Sequence, residues 1–384
     1  MKRSSYATIP AALLLIIALF LSPATAITDL GENRSVAIEG AVAINALLVQ
    51  EDGGLIAAGA DAAGPALWFI GPDAAVTTNV TVSAGNATAI RYIDRAPDGT
   101  LLLFTDAFDL IKTDDDGTVL WSWHVPYGEV SGLDGADGST YIASNHLHPI
   151  LYRTGPDGEE EWNQTFADTS GVGYARLTTV RALPDGGFAA AGYVQPMADG
   201  TDPNGFLLLG NADGSMTSEV RYGHDDIGYI TSLHLHPDGG FLATALGTDG
   251  VTPSLLRLSP GGGLEEITGF GKRLELAYWA AGAPGGGAYV LGYDSEVVTG
   301  KPQYLLLGLD EEGDQAWMQW FGDTRVTAVA NYGDGGVAIA TEKGDIMVYL
   351  PETPEGIHQV NDLWLIVFGI LAGIIAFILI RRQL

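Results

Sequence analysis

Residues 177–194 read LTTVRALPDGGFAAAGYV. Leu177 to Leu183 alternates and is rich in β-branched residues, the pattern of a half-buried strand. Asp185-Gly186-Gly187 then turns the chain, because glycine accepts positive φ and aspartate can hydrogen-bond its own backbone. Phe188 to Val194 makes a second strand, its small alanines allowing close packing. A longer loop follows, then a third strand at Phe206–Leu209, a tight turn at Asp213-Gly214, and a fourth strand at Met216–Tyr222 that Gly223 ends. Four antiparallel strands in chain order are one blade of a β-propeller.

The first turn recurs as Asp52-Gly53-Gly54, Asp98-Gly99, Asp137-Gly138, Asp185-Gly186-Gly187, Asp238-Gly239-Gly240, Gly285-Gly286-Gly287 and Asp334-Gly335-Gly336, at intervals of 46, 39, 48, 53, 47 and 49 residues. A period of about 40–50 residues built from short strands marks one propeller blade per repeat. The second turn recurs too, as Asp116-Gly117, Asp157-Gly158, Asp213-Gly214, Gly261-Gly262 and Glu312-Gly313. Trp121, Trp162 and Trp317 each lie four residues beyond such a turn glycine. An aromatic there is expected to fill the wedge between blades. The last repeat supplies only three strands, Val326–Ala330, Val337–Thr341 and Ile346–Leu350, while a spare strand, Arg34–Glu39, precedes the first. The expected fold is therefore all-β: a seven-bladed β-propeller in which the N-terminal strand becomes the outer strand of blade seven and leaves no open edge.

The pattern EWNQTF (161–166), LTTVRALPDGGFAAAGY (177–193), GFLLLGNADGS (205–215) and VRYG (220–223) resembles the repeat of exported, membrane-anchored propeller proteins common in methanogenic archaea. The likeness to these PQQ-like and WD-like repeats covers residues 34–350 and rests on turn and packing positions. It implies a shape and a location, not a reaction. The chain departs from quinone-cofactor propeller dehydrogenases in having seven repeats and no vicinal cysteine pair. It departs from sialidases in the spacing of its turn tryptophans, and no arginine cluster is evident in the sequence.

Both chain ends carry addressing signals. Lys2 and Arg3, an apolar stretch Ala11–Leu21 and the small residues Ala24-Thr25-Ala26 read as a signal peptide over 1–26, so the mature chain is expected to start at Ile27. A linker, 351–362, leads to Leu363–Ile380, 18 residues without a charge. At about 1.5 Å per residue that segment reaches roughly 27 Å, close to the apolar thickness of a bilayer. Trp364 stands at its outer end and Arg381-Arg382 follow it, so the C-terminal single transmembrane helix is expected to leave 381–384 in the cytoplasm. Gly369 and Gly373 form a G-x-x-x-G on that segment. The expected localisation is the cell membrane, single-pass, with the domain 27–350 outside.

There is no cysteine, so an exported domain here must rest on its apolar core. Lys2, Arg3, Arg381 and Arg382 flank the ectodomain, leaving 14 basic residues against 47 acidic ones, a net of −33. Such a field repels nucleic acid and anionic lipid and favours solubility in salt. Asn33, Asn79, Asn86 and Asn163 open N-x-[ST] sequons, acceptors an exporting cell could glycosylate.

Few residue patterns point to chemistry. His146/His148 and His234/His236 would share strand faces and offer two metal ligands each, with no third in sight. Asp199, Asp202 and Asn204 give a calcium-like set of oxygens around turn glycines, with calcium the one cofactor suggested. No P-loop, dinucleotide fingerprint or catalytic triad stands in a credible context.

Loop length is more informative. The turns between strands one and two, and three and four, are short, so one face of the disk is plain. The loops between strands two and three are long at Gln195–Gly205, Gly247–Pro253 and Asp294–Gln303. They share a face with the inter-blade connections that carry His224, Asp225, Asp226, Lys272, Arg273, Asp323 and Arg325. Function on a rigid ring usually sits in such loops. The expected function is a cell-surface binding or structural module that engages a protein, glycan or envelope partner through this face near blades 4–6. The alternatives are an exported enzyme with a polar or metal site at the axial channel, and a scaffold for assembly of envelope proteins. The inner strands read as mostly Leu, Val, Thr and Ala, which disfavours the enzyme.

Overall fold

The computed structural model describes residues 30–351, except positions 97, 127–128, 137, 147, 167–172, 197–201, 237, 271–273, 284–286, 296–301, 311–312 and 333–335. Seven four-stranded antiparallel sheets, six of them in chain order, form seven blades. The inner strands are Ala41–Val49, Ile90–Arg95, Glu129–Ala136, Gly173–Ala182, Ile227–Leu235, Leu276–Gly282 and Val326–Tyr332. Second strands are sandwiched between neighbouring blades and read as apolar runs: Leu101–Thr105 and Gly336–Thr341 are buried at every position. Fourth strands alternate, as in Val119–His124, because only one face is covered.

The N-terminal strand Leu30–Ala37 pairs antiparallel with Asp345–Pro351, from Leu30 opposite Pro351 to Ala37 opposite Asp345, and completes blade seven. Closure thus occurs as the repeat count required. Its boundaries differ from expectation: the strand stops at Ala37 rather than Glu39, and Pro351, expected to open the linker, is the last residue of the pairing. The expected signal peptide, most of the expected linker, the expected transmembrane helix and the expected tail lie outside the described residues. Among the described residues no helix is long and apolar enough to cross a membrane.

The turn glycines carry the expected positive φ, for example +83° at Gly186 and +85° at Gly214. The tryptophans cover the neighbouring blade's outer turn. Trp121 lies beneath Gly158, where a Cβ would stand 2.6 Å from the indole, and its Nε1–H donates to the Pro156 carbonyl at 2.9 Å. Trp162 repeats this on Gly214, donating to the Ala212 carbonyl at 2.9 Å. Trp317 departs from the pattern and packs inside its own blade on Gly308 and Tyr289. The reason is topological. Blade seven takes its outer strand from the N-terminus, so it has no three–four turn for Trp317 to cover.

Every inner strand carries a β-bulge at one shared register. The extra residues are Asn45, Arg91, Ser131, Thr178, Thr231, Tyr278 and Thr327. The residue just before each bulge pairs with a small one on the second strand: Gly59, Thr105, Ser144, Gly192, Ala245, Gly292 and Thr341. The crowding is explicit at Gly192, where a Cβ would sit 1.9 Å from the Arg176 carbonyl oxygen. This accounts for the Ala-Gly ending of the repeat's second strand.

Candidate functional site

The inner strands surround an axial channel with two wide ends. The end on the long-loop face is a cavity of about 820 Å³, lined from blades one, two, six and seven and touched by Val130 of blade three. The other, of about 710 Å³, reaches toward the plain turn face. All six bulge residues other than Ser131 line one or both. A bulge turns two consecutive side chains away from strict alternation, so each of those six inner strands gains a position aimed at the axis.

The bulge ring also ties blades together. Asn45 Nδ2 donates to the Ile90 carbonyl at 2.8 Å, Thr178 Oγ1 to the Ile230 carbonyl at 2.8 Å, and Thr231 Oγ1 to the Ala277 carbonyl at 2.9 Å. In each case the acceptor immediately precedes the next blade's bulge residue.

Three residues past each bulge is a second ring: Leu48, Asp94, Asp134, Arg181, His234, Ala281 and Ala330. Blades two to five thus place four ionisable groups at equivalent positions of one channel wall. This corrects the expectation of an apolar inner wall. The groups are engaged across blade boundaries. Asp94 accepts the Gly135 N–H at 3.3 Å, Asp134 accepts the Ala182 N–H at 3.0 Å, and Arg181 Nε donates to the Leu233 carbonyl at 2.7 Å. Water reaches Asp94 along the channel, yet protein surrounds it on nearly all sides. That burial, with the Asp134 carboxylate hydrogen-bonded beside it, pushes the Asp94 carboxyl up to about 8, against the pull of the Arg95 N–H and Arg181. Enclosure, reinforced by Arg181, holds the His234 imidazole well below its usual range, so it is neutral at pH 7. Its ring lies edge-on to Trp279 at 5.7 Å.

The mouth on the long-loop face has a different character. Arg91 and Arg325, from blades two and seven, both line it. Neither guanidinium has an ion pair or hydrogen bond among the described residues. Asp106, which also lines the mouth, is committed to the connection that enters blade two. Burial would raise its carboxyl, but hydrogen bonds from the Thr88 hydroxyl and N–H and from the Ala89 N–H outweigh that and hold it low, with Arg91 assisting. Glu342 accepts the Arg325 backbone N–H at 3.4 Å. Tyr278, Tyr293 and Tyr304 form an aromatic wall, the last two with ring centroids 5.9 Å apart. Burial raises the Tyr278 and Tyr293 phenols, so both remain protonated donors. The Tyr278 hydroxyl and Thr327 Oγ1 are buried without a hydrogen-bond partner among the described residues.

Of the residues expected to carry function, Arg325 lines this mouth, and the cavity lies over blades six, seven, one and two rather than four to six. His224 and Asp225 lie in a short 3₁₀ turn, Gly223–Asp225, between blades four and five, and Asp226 follows it left-handed at φ 61°. Asp323 lies exposed in the connection into blade seven. Lys272 and Arg273 lie outside the described residues, as does Asp199. Asp202 is exposed, and Asn204 Oδ1 accepts the Gly223 N–H at 2.9 Å, a loop-closing contact. Asn79, Asn86 and Asn163 are exposed, with Asn163 donating to Glu160 Oε1 at 2.6 Å. Asn33 falls at a bulge of the closing strand. The H-x-H pairs do not act as pairs: the strands end at Leu235 and Asn145, so alternation fails. His236 instead contacts Asp238 at 2.8 Å. Among the described residues no three His, Asp or Glu side chains gather as a metal site.

No protein-family profile matches the chain, and no curated protein does. Solved structures do resemble it. The WD40 β-propeller domain of Doa1 matches with a TM-score of 0.61 at 12% identity, covering 85% of this chain and 98% of that one. The WD40 domain of Neurospora crassa Pan2 matches with 0.58 at 11% identity, covering 85% and 97%. A chain of the mitotic checkpoint complex matches with 0.63 at 11% identity, covering 85% and 94%. At such identities the likeness establishes the seven-bladed propeller fold and nothing about ligands.

Proposed function

We propose that this chain is an exported binding module, tethered by its C-terminal segment, that holds a ligand of the cell surface or envelope at the channel mouth on its long-loop face. The observation that carries this reading is a pair of guanidiniums in one aromatic-walled cavity, Arg91 and Arg325, that have no partner among the described residues. The chain has 47 acidic residues, and none of those described pairs with either. The leader over 1–26 and the uncharged run 363–380 support an outside location, and the membrane is contacted through that run alone. WD40 neighbours, one of them in a multi-protein assembly, agree with a propeller used for association.

The test is binding of the full-length chain to envelope fragments of its own cells. A double R91Q/R325Q variant should lose retention, whereas a plain-face D185A variant should keep it. Equal retention by both would place the contact elsewhere. For location, protease added to intact cells should release the propeller, and truncation after 362 should free it from membranes. A protected, cytosolic propeller would defeat the outside assignment.

One observation favours a second reading, an enzyme of the channel. The Asp94 carboxyl remains protonated near neutrality and could act as a general acid. Turnover of a bound ligand, abolished in D94N, would favour it over simple binding.

A further inference from the structure

We infer that the mouth takes an acidic saccharide, with Arg91 and Arg325 holding the oxyanion of a sugar ring that lies against the tyrosine wall. This rests on the binding reading above and narrows it to a ligand class. Three observations converge.

First, the charges are reserved. Arg34, Arg95, Arg153, Arg181, Arg221 and Arg257 each spend their guanidinium on a carboxylate, a carbonyl or a hydroxyl of this chain. Arg91 and Arg325 do not, although both line one cavity. Asp106 and Glu342 line the same cavity, but each accepts backbone N–H groups of the chain, so both guanidiniums keep their donors open to an incoming oxyanion. Guanidinium forks fit carboxylate or sulfate oxygens in pairs.

Second, the wall offers hydroxyls with nothing to bond. The Tyr278 hydroxyl and Thr327 Oγ1 are buried and unpartnered among the described residues. A buried polar atom without a partner costs about 1–3 kcal/mol, so a ligand hydroxyl that reaches either atom gains a bond the free chain lacks. Hydroxyls both donate and accept, as sugar hydroxyls do. A flat ring wall beside them suits the apolar face of a pyranose.

Third, the rim is strained. Phe108 sits on the turn at the lip with φ 65° and is 41% exposed. The equivalent turn of blade seven uses Gly344 at φ 82°. A left-handed phenylalanine where glycine would serve is a cost retained at a site.

The cavity's size, about 820 Å³, suits a short saccharide, and its recess at the axis does not suit a flat protein interface. The strongly negative surface repels long polyanions, so the expected ligand carries its charge on one or a few residues of an otherwise neutral glycan.

The experiment is calorimetric titration of the purified full-length chain in neutral detergent with galacturonate and glucuronate trisaccharides, their methyl esters, a sulfated trisaccharide and an acidic tripeptide. At least one acidic saccharide should bind, and its neutral ester should bind at least about tenfold more weakly. R91Q and R325Q should each lose about 10- to 100-fold in affinity, and Y278F several-fold, with unchanged melting temperatures. The carboxylate and sulfate arms tell which oxyanion is preferred. Ester binding equal to acid binding would overturn the anion site and leave the binding reading intact. Tripeptide binding without saccharide binding would overturn the ligand class alone. No binding by any probe, together with full envelope retention by R91Q/R325Q, would remove both.

Discussion

Replacing Asp94 with asparagine should remove a pH dependence that one proton creates. In the unfolded chain this carboxyl titrates near 3.8, and in the folded chain near 8. Between those values the folded Asp94–Asp134 pair keeps a proton that the unfolded chain has released. Stability therefore falls as pH rises through this window and levels off above about 8, where the folded carboxyl ionises too. One proton sets a slope of about 1.4 kcal/mol per pH unit. Over roughly four units the loss is at most about 6 kcal/mol, and channel water, by easing ionisation, narrows the window rather than flattening the slope. D94N keeps an acceptor for one of the Gly135 and Arg95 N–H groups and gives up the other, a loss that does not vary with pH, and its amide can donate to Asp134. His234 works in the opposite sense, costing stability as pH falls below 6.5, because its folded form resists protonation. Arg95, Arg181 and Asp134 also face the group, but they are common to both proteins, so the difference curve isolates Asp94. The assay is urea unfolding of wild type and D94N at half-unit steps from pH 5 to 9. D94N should gain on wild type steadily up to pH 8. Parallel curves, within about 0.3 kcal/mol per pH unit, would refute a buried, proton-sharing pair.

Three further outcomes are expected. Deleting Leu30–Ala37 exposes the edge of Asp345–Pro351 and opens the ring; the melting temperature should drop by at least about 10 °C and the protein should self-associate on gel filtration. Gly192→Ala should destabilise by about 3 kcal/mol or more in denaturant titration, since its Cβ would meet the Arg176 carbonyl at 1.9 Å and backbone cannot yield cheaply. Ala74→Gly should stabilise by about 0.5–1 kcal/mol, because Ala74 holds φ 62° at the outer turn where other blades place a glycine.

Blade count and ring closure were legible because turns are local: an Asp-Gly-Gly triplet declares itself whatever surrounds it. The inner wall was not, and the reason is the bulge. Residues 178 and 181 are an odd number apart, so strict alternation sends Thr178 and Arg181 to opposite faces, whereas the bulge between Leu177 and Thr179 brings both to the channel. A signal was nevertheless present. Counting back eight residues from the turn glycines Gly53, Gly99, Gly186 and Gly239 gives Asn45, Arg91, Thr178 and Thr231, and counting back five gives Leu48, Asp94, Arg181 and His234. Blade three is one residue shorter, which hides Asp134 from that count. The small residue opposite each bulge, such as Gly59 or Gly192, was the other clue. The mouth itself could not be read from the chain, because Arg91 and Arg325 line one cavity only when blade seven closes against blade one.

The seven bulges have a consequence for how such a protein can change. Six of them each fix one backbone site at which a side chain projects into the channel, and the site's geometry is held by the small residue opposite rather than by the side chain displayed. Asparagine, arginine, threonine and tyrosine already occupy it in different blades of this one chain. Those six positions are therefore a set of interchangeable sockets. New specificity can arise by substituting one socket at a time, without disturbing the strands, turns or closure that keep the propeller folded.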